Sequence, residues 1–166
     1  KDKSNVKDLL EQRVRTLEPV KNFDLKKYAG KWYEIARLDH SFERGLQSIT
    51  AEYMIKPNGE VSVINRGYST KHDEWQDANG VASFVESDDL GYLKVSFFRP
   101  FYGSYIVFEL DEDYQYAFVS GPNKSYLWLL SREPNPPKEL IYKFKKISTE
   151  LGFDVDELIF PTHDSS

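Results

Sequence analysis

The chain has 166 residues, a formal net charge of -5 at pH 7 and an aromatic content of 15%. A chain of this length is expected to form one domain with a hydrophobic core of its own. The negative charge argues against nucleic acid as a partner, because phosphate binding needs a basic surface. The absence of cysteine excludes disulfides, thiolate nucleophiles and zinc sites built from Cys.

The amino-terminal segment, residues 1–19, is polar and charged, with a few apolar residues at helical spacing before Pro19. These apolar residues are Val6, Leu9, Leu10 and Val14. We interpret residues 1–21 as an extension or tether that holds a short amphipathic helix or a loose terminus. No segment reaches the roughly 18 apolar residues of a membrane span, and the first residues do not resemble a signal peptide.

Short runs of alternating polar and apolar residues recur along the middle of the chain, with turn residues between them. They predict eight strands, at 31–39, 47–56, 60–68, 79–86, 91–98, 103–110, 115–120 and 126–132. Eight antiparallel strands can close an up-and-down barrel around one ligand-sized interior. Longer connections are predicted at 39–47, 69–78, 99–102 and 121–125, alternating with tight turns. Alternate connections of such a barrel share an end, so the longer ones are expected to surround an open mouth.

Trp32 stands near the start of the first predicted strand, and Arg132 ends the last one. A guanidinium stacks well on an indole ring, and the contact is worth roughly 0.5–2 kcal/mol. We therefore predict a structural seal at the closed end of the barrel, made by Gly30, Trp32 and Arg132.

The carboxyl-terminal region predicts one helix outside the barrel. After a proline-rich break at 133–137, residues 138–151 carry apolar side chains at helical spacing, and Gly152 follows as a stop. This helix is expected to cover the outward-facing Leu127 and Leu129, with one further outer strand within 156–160. The predicted fold is thus all-β, with a barrel domain at 22–160 and a tail at 161–166.

The interior of the predicted barrel is mainly apolar and aromatic. Side chains alternate between the faces of a strand, so the inward orientation of Trp32 and Arg132 determines the orientation of their neighbours. The pattern, together with the family resemblance given below, predicts which residues line a ligand site. They are Ala36, Ala51, Tyr53, Val63, Asn65, Ala82, Phe84, Val95, Phe97, Tyr105, Val107, Val119, Tyr126 and Trp128. Largely apolar walls with a few polar groups are typical of a ligand cavity. A filled core is the alternative, and the several Tyr hydroxyls that need partners argue against it.

The titratable residues do not form a recognisable catalytic motif. Glu34 and Glu109 are predicted to face inward near Arg132, where a structural ion pair with that arginine is the favoured role. A catalytic carboxylate pair there would lie too deep for a substrate. The histidines, His40, His72 and His163, lack metal-ligand spacing and are predicted to be solvated residues of loops and tail. No nucleophile elbow, P-loop or dinucleotide-binding glycine pattern is found, so no catalytic residue, metal or cofactor is predicted.

Three segments in the same order resemble the three signatures of the lipocalin family. They are residues 22–37, which include Gly30-Lys31-Trp32, residues 113–117 and residues 127–132. The likeness covers about residues 20–160. Within the family the chain is similar to bacterial lipocalins, through Phe42–Leu46, Lys94–Phe98, Pro100–Gly103 and Tyr126–Trp128.

The resemblance implies storage or transport of a small hydrophobic or amphipathic ligand, above all a fatty acid or lysophospholipid, in membrane lipid maintenance. A lipid- or carotenoid-modifying enzyme of the same superfamily is the alternative. A haem or pigment carrier is a third reading, although the predicted interior contains no His to bind iron. The resemblance also implies a periplasm-facing lipoprotein of the bacterial outer membrane, attached by a lipid anchor outside this chain. A monomer or weak homodimer is expected.

Overall fold

A computed structural model describes residues 16–40, 43–98 and 101–163, so most of the predicted amino-terminal helix lies outside the described residues. The elements in chain order are α1 Leu25–Tyr28, β1 Gly30–Leu38, β2 Leu46–Ile55, β3 Val61–Ser69, β4 Glu74–Phe84, β5 Tyr92–Phe98, β6 Phe101–Leu110, β7 Tyr116–Ser120, β8 Leu127–Ser131, α2 Lys138–Glu150 and β9 Leu158–Ile159. None of the described helices is long and apolar enough to cross a membrane.

The first eight strands form a closed antiparallel barrel. Each strand pairs with the next in the chain, and β1 closes the barrel by pairing with both β2 and β8. Where β2 leaves the edge of β1, β9 takes its place opposite Arg37 and Leu38. The predicted barrel and the additional outer strand are confirmed.

Two layers of buried side chains hold the fold together. The inner layer fills the closed end of the barrel around Trp32, while the outer layer lies between the barrel wall and α2. Phe144 and Ile147 of α2 pack in the outer layer with Leu127 and Leu129 of β8, as predicted. The helix ends before Gly152, whose φ of +92° would strain a residue with a side chain.

A β-bulge in β1 overturns one predicted orientation. Glu34 pairs with Leu130 and Ala36 pairs with Leu129, so Ile35 is the extra residue. Beyond this bulge the alternation of faces is reversed, and Ala36 is buried in the outer layer beneath α2. The prediction that Ala36 lines the interior is therefore wrong, and Arg37 lies opposite the inward-facing Trp128 instead.

A second irregularity in β6 has the same effect on Glu109. Val107 pairs with Val119 and Glu109 pairs with Phe118, which leaves one unpaired residue in β6. The Glu109 carboxylate lies 3.3 Å from Nζ of Lys143 on α2, so it is on the outside of the barrel. The prediction that Glu109 faces inward is therefore wrong, because an extra residue in β6 reverses the alternation of faces, as it does for Ala36 in β1.

The predicted long connection at 69–78 is a tight hairpin instead. β4 begins at Glu74, and Glu74 already pairs with Ser69 at the end of β3. The first six residues of β4 are all exposed, so they lack the alternation that identifies a half-buried strand. Cross-strand contacts stabilise this exposed pairing. The Arg66 guanidinium binds the Asp77 carboxylate at 2.9 Å and lies 4.6 Å from the centre of a Trp75 ring.

Candidate functional site

The closed end of the barrel is covered by the stack of Arg132 on Trp32. The guanidinium carbon lies 3.8 Å from the centre of the indole, which is fully buried. The indole Nε1 donates to the Tyr28 carbonyl at 2.8 Å, which ties β1 to α1. We call Gly30, Trp32 and Arg132 the seal.

Backbone carbonyls satisfy the guanidinium of Arg132. It donates hydrogen bonds of 2.7–3.1 Å to the carbonyls of Lys27, Tyr28, Ala29, Lys31 and Tyr114. Gly30 has a φ of +104°, and an added Cβ would lie 3.4 Å from Nη1 of Arg132. The positive φ therefore favours glycine at this position, whereas a Cβ would meet the guanidinium only at an ordinary contact distance.

Above the seal, the barrel encloses a cavity of about 370 Å³. Ten of the residues predicted to line a ligand site face it. They are Ala51, Tyr53, Val63, Asn65, Val95, Phe97, Tyr105, Val119, Tyr126 and Trp128. The remaining lining residues are Glu34, Glu43, Ile49, Tyr102, Gly103, Ser104, Pro122 and Leu130. The wall is therefore apolar and aromatic with two carboxyl side chains.

Three other predicted residues lie beneath the main cavity. Ala82 lines a small pocket toward the closed end, together with Tyr28 and Val61. Phe84 and Val107 pack in the inner layer. These three support the floor of the cavity, while Ala36 is outside the barrel.

A polar cluster is embedded in one wall of the cavity. It consists of Glu34, Arg37, His40, Glu43 and Trp128, and we use the name polar cluster for these five residues. Nη1 of Arg37 lies 3.1 Å from Oε2 of Glu34, and Nη2 donates to the Glu43 carbonyl at 3.1 Å. Oε1 of Glu43 lies 2.6 Å from Nε2 of His40 and accepts a 3.1 Å hydrogen bond from Nε1 of Trp128. The two carboxyls thus have partners although all five residues are largely buried.

The structure corrects the environment predicted for two members of this cluster. His40 is only 7% exposed and packs against the rings of Tyr126 and Trp128, so its prediction as a solvated loop residue is wrong. Glu34 binds Arg37 rather than Arg132, because the bulge at Ile35 turns Arg37 into the barrel. Glu43 lies in the β1–β2 loop, where no periodic pattern exists to indicate its orientation.

The side chains of the other two histidines do not belong to this cluster, although His163 contacts the backbone of one of its members. His72 is exposed in the β3–β4 turn. His163 is partly buried, with Nε2 2.6 Å from the Glu34 carbonyl oxygen and its ring against Tyr33. The prediction of a solvated residue therefore does not describe His163 either.

The carboxyls of Glu34 and Glu43 have opposite pKa shifts. Burial, together with the charge of Glu43, raises the pKa of Glu34 well above its ordinary value, although Arg37 opposes this effect. Burial also acts to raise the pKa of Glu43, but hydrogen bonds with His40, Glu34 and Trp128 outweigh it and lower that pKa. At neutral pH, Glu34 therefore retains its proton more readily than Glu43, which matches the pattern of two carboxyls that share one proton.

Three tyrosine hydroxyls meet at the floor of the cavity. The Tyr105 oxygen lies 2.5 Å from that of Tyr28 and 2.8 Å from that of Tyr53. Tyr53 and Tyr105 line both the main cavity and the small pocket beneath it, whereas Tyr28 lines only the small pocket. Burial raises the pKa of all three phenols, so each hydroxyl keeps its proton at physiological pH.

The described residues form a closed barrel with a capped floor and a ligand-sized cavity, the geometry of a small-molecule binding protein, and comparison with known proteins identifies its class. Residues 23–163 match the family model for a lipocalin-like domain. The chain belongs to the lipocalin family.

Its relatives include bacterial outer-membrane lipoproteins. The chain is 59% identical to outer membrane lipoprotein Blc of Vibrio cholerae over 146 residues, which cover 87% of this chain and 85% of that protein. It is 47% identical to Blc of Escherichia coli K12, over 88% of this chain and 82% of that protein. Among solved structures it resembles insecticyanin of the tobacco hornworm, with a TM-score of 0.71 and 23% identity over 92% of this chain and 87% of that one. The last similarity concerns the fold alone.

Proposed function

We propose that the chain binds single-chain lipids, fatty acids or lysophospholipids, in the barrel cavity and stores or carries them for membrane lipid maintenance. The observation that carries this proposal is a cavity of about 370 Å³ with apolar and aromatic walls and a polar cluster on one side. A pocket of a few hundred Å³ is the usual size for a small-molecule ligand. One acyl chain fits this space more readily than two.

The charges around the cavity favour a lysophospholipid over a free fatty acid. Two carboxyl side chains, Glu34 and Glu43, line the cavity, and no Lys or Arg side chain does so among its described lining residues. Arg37 is already bound to Glu34 and to the Glu43 carbonyl. A fatty-acid carboxylate buried beside this cluster would have no free cation, which is costly. A lysophospholipid places its phosphate near the mouth, where water solvates it.

The test is a set of lipid titrations with the purified chain. We expect lysophospholipid to bind more tightly than a fatty acid of the same chain length, and diacyl phospholipid to bind weakest. Native mass spectrometry of protein purified without added lipid should detect a single-chain lipid. Equal affinity for one-chain and two-chain lipids, or no binding of either, would contradict the proposal.

We propose binding without catalysis. A carboxyl with a raised pKa beside a cavity is also typical of a catalytic acid, and Glu34 has this character. However, Glu34 is bound to Arg37, and Glu43 to His40 and Trp128, so both carboxyls already serve the internal network. Incubation with lysophospholipids and carotenoids should leave them unchanged. Turnover that disappears in Glu34→Gln would establish the enzymatic alternative.

The names of the relatives support a proposed location, and the assembly state is proposed separately. Because similar proteins are named outer membrane lipoproteins, we propose the same location for this chain, facing the periplasm. Fractionation of expressing cells, with mass spectrometry for an acylated amino-terminal cysteine on the mature protein, tests this point. We propose a monomer or weak homodimer in solution, which light scattering across a concentration series would measure.

A further inference from the structure

The tyrosine trio at the cavity floor contains more donors than the trio itself can use. Tyr28, Tyr53 and Tyr105 carry three hydroxyl protons, but only two hydrogen bonds join the three oxygens. Each of these bonds uses one proton. One donor is therefore left over, whichever way the two bonds are directed.

The location of that donor depends on the direction of the hydrogen bonds. If Tyr28 donates to Tyr105, the remaining proton belongs to Tyr53 or Tyr105, and both side chains line the main cavity. If Tyr53 donates to Tyr105 and Tyr105 donates to Tyr28, the remaining proton belongs to Tyr28. The small pocket that Tyr28 lines is mainly apolar, with Phe23, Leu25 and Val61 among its lining residues. A buried donor without an acceptor costs free energy, so an acceptor in the main cavity favours the first direction.

We propose that the cavity floor is a subsite for an oxygen atom on the acyl chain of the ligand. The protein should therefore bind lipids whose acyl chain carries a ketone or hydroxyl more tightly than lipids with a plain acyl chain. The inference rests on the proposed function, because it assumes a single-chain lipid with its head group at the mouth. The oxygen on the acyl chain would make a second polar contact, at the end of the cavity opposite the head group. A plain acyl chain leaves the remaining tyrosine proton without a ligand acceptor, whereas a chain oxygen accepts it.

The floor could instead receive an oxygen of the lipid head group, if the ligand entered the barrel head group first. The negative charge inside the cavity argues against this orientation. A fatty-acid carboxylate at the floor would be an anion in a cavity that already contains the carboxyls of Glu34 and Glu43. A phosphate group would carry the same sign into the same space. A neutral carbonyl or hydroxyl on the chain satisfies the donor without a buried charge.

The test compares stearoyl lysophosphocholine with the same lipid bearing a ketone near the middle or near the end of its chain. A ketone accepts hydrogen bonds but does not donate them, so it reports a protein donor. We expect at least one keto lipid to bind the wild-type chain about three- to tenfold more tightly than the plain lipid, as one satisfied hydrogen bond warrants.

The variant that tests the subsite removes the hydroxyls of the two tyrosines that line the main cavity. The double variant Tyr53→Phe/Tyr105→Phe should lose the keto preference while it still binds the plain lipid. Tyr28→Phe is the matched control, because it removes a hydroxyl of the same trio that does not line the main cavity. In that variant Tyr53 can donate to Tyr105, Tyr105 still has a proton for the ligand, and the preference should persist.

Four outcomes overturn the inference. Equal binding of plain and keto lipids by the wild-type chain would show that no chain oxygen is recognised. A keto preference that survives in the double variant would place the donor elsewhere. An equal loss of affinity for both lipids in the double variant, with an unchanged melting temperature, would show that the head group occupies the floor. Failure of every single-chain lipid to bind the wild-type chain would overturn the proposed function itself.

Discussion

Two arginines, Arg37 and Arg132, occupy opposite ends of the cavity and are satisfied by different chemistry. Arg132 lies over Trp32 at the closed end and donates to backbone carbonyls, which carry no titratable charge. Arg37 is buried in the wall nearer the mouth and binds carboxyl groups, chiefly that of Glu34. The seal should therefore respond weakly to pH, whereas the polar cluster should be sensitive to pH and to the loss of any partner.

The largest expected effect is the loss of Arg37. Arg37→Ala would leave the buried carboxyls of Glu34 and Glu43, which share a negative charge, without the neighbouring cation. Breaking a buried charge network of this kind costs about 3–5 kcal/mol. Protonation of Glu34 would reduce this cost at low pH, so urea unfolding should show a smaller loss at pH 5 than at pH 8. Arg44→Ala is the control, because Arg44 pairs with Asp39 on the exposed side and is expected to contribute little. A similar loss in both variants would mean that burial does not distinguish the two pairs.

A smaller loss of stability is expected at the other end of the barrel. Arg132→Ala removes the stack on Trp32 and several donors, and should reduce the free energy of unfolding by about 1–3 kcal/mol. Arg132→Lys tests the geometry, since an ammonium keeps the charge but lacks the planar fork that reaches several carbonyls. Lipid affinity should change little in either variant, because the seal lies beneath the cavity floor. Abolished binding with an unchanged melting temperature would contradict this arrangement.

Trp128 links the polar cluster to the ligand, so its loss should affect binding. Trp128→Ala should weaken lysophospholipid binding by roughly 1–3 kcal/mol, because the indole lines the cavity. Trp128→Phe separates the apolar surface from the hydrogen bond to Glu43 and should retain more affinity. Trp75→Ala is the control, since Trp75 is 46% exposed on the β3–β4 hairpin and does not line the cavity.

A brominated acyl chain gives an independent check of the same geometry. Measured on variants that each retain one tryptophan, quenching should be strongest for Trp128 and weaker for Trp32 and Trp75. Strong quenching confined to Trp32 would place the ligand below the seal. No quenching at any position would indicate that the lipid does not enter the barrel.

The smallest expected effect concerns the pH dependence of the polar cluster. The pKa of Glu34 is higher in the folded chain than its ordinary value of 4.5. Glu34 therefore contributes to stability below pH 4.5, and this contribution is lost as the pH rises from 4.5 through the pKa of the folded state. Glu34→Gln keeps the hydrogen-bonding shape without the titration and should alter stability at neutral pH by within about 1 kcal/mol. The melting temperature of the variant should decline less than that of the wild type between pH 5 and 8. Parallel curves would show that Glu34 does not carry the pH dependence.

Several parts of the fold were predictable because they depend on local sequence. Most of the predicted strands carry apolar residues at every second position or along their whole length, and α2 carries them at helical spacing, so their positions follow from burial of at least one face. The first part of β4 was missed because all of its side chains are exposed, and its pairing depends on contacts with β3 such as that of Arg66 with Asp77. Strand prediction therefore succeeded where one face is buried and failed where neither is.

The candidate site was predicted as far as strict alternation holds. Tyr53, Val63 and Trp128 face the cavity as alternation requires. Ala36 and Glu109 do not, because each follows an extra residue in its strand. Glu43 joins the site from a loop, for which alternation offers no rule. The tyrosine trio unites residues from α1, β2 and β6, and no sequence spacing relates their hydroxyls.

By itself, the sequence determined the class of fold, the closed-end stack and the apolar character of the interior. These features depend on the pattern of side chains along each strand and on a few local motifs. The tertiary structure alone decided which polar groups meet inside the barrel. Bulges change the direction of every later side chain in a strand, and register brings together residues that are far apart in the chain. The partners of Glu34 and of the Tyr105 hydroxyl follow from that three-dimensional pairing.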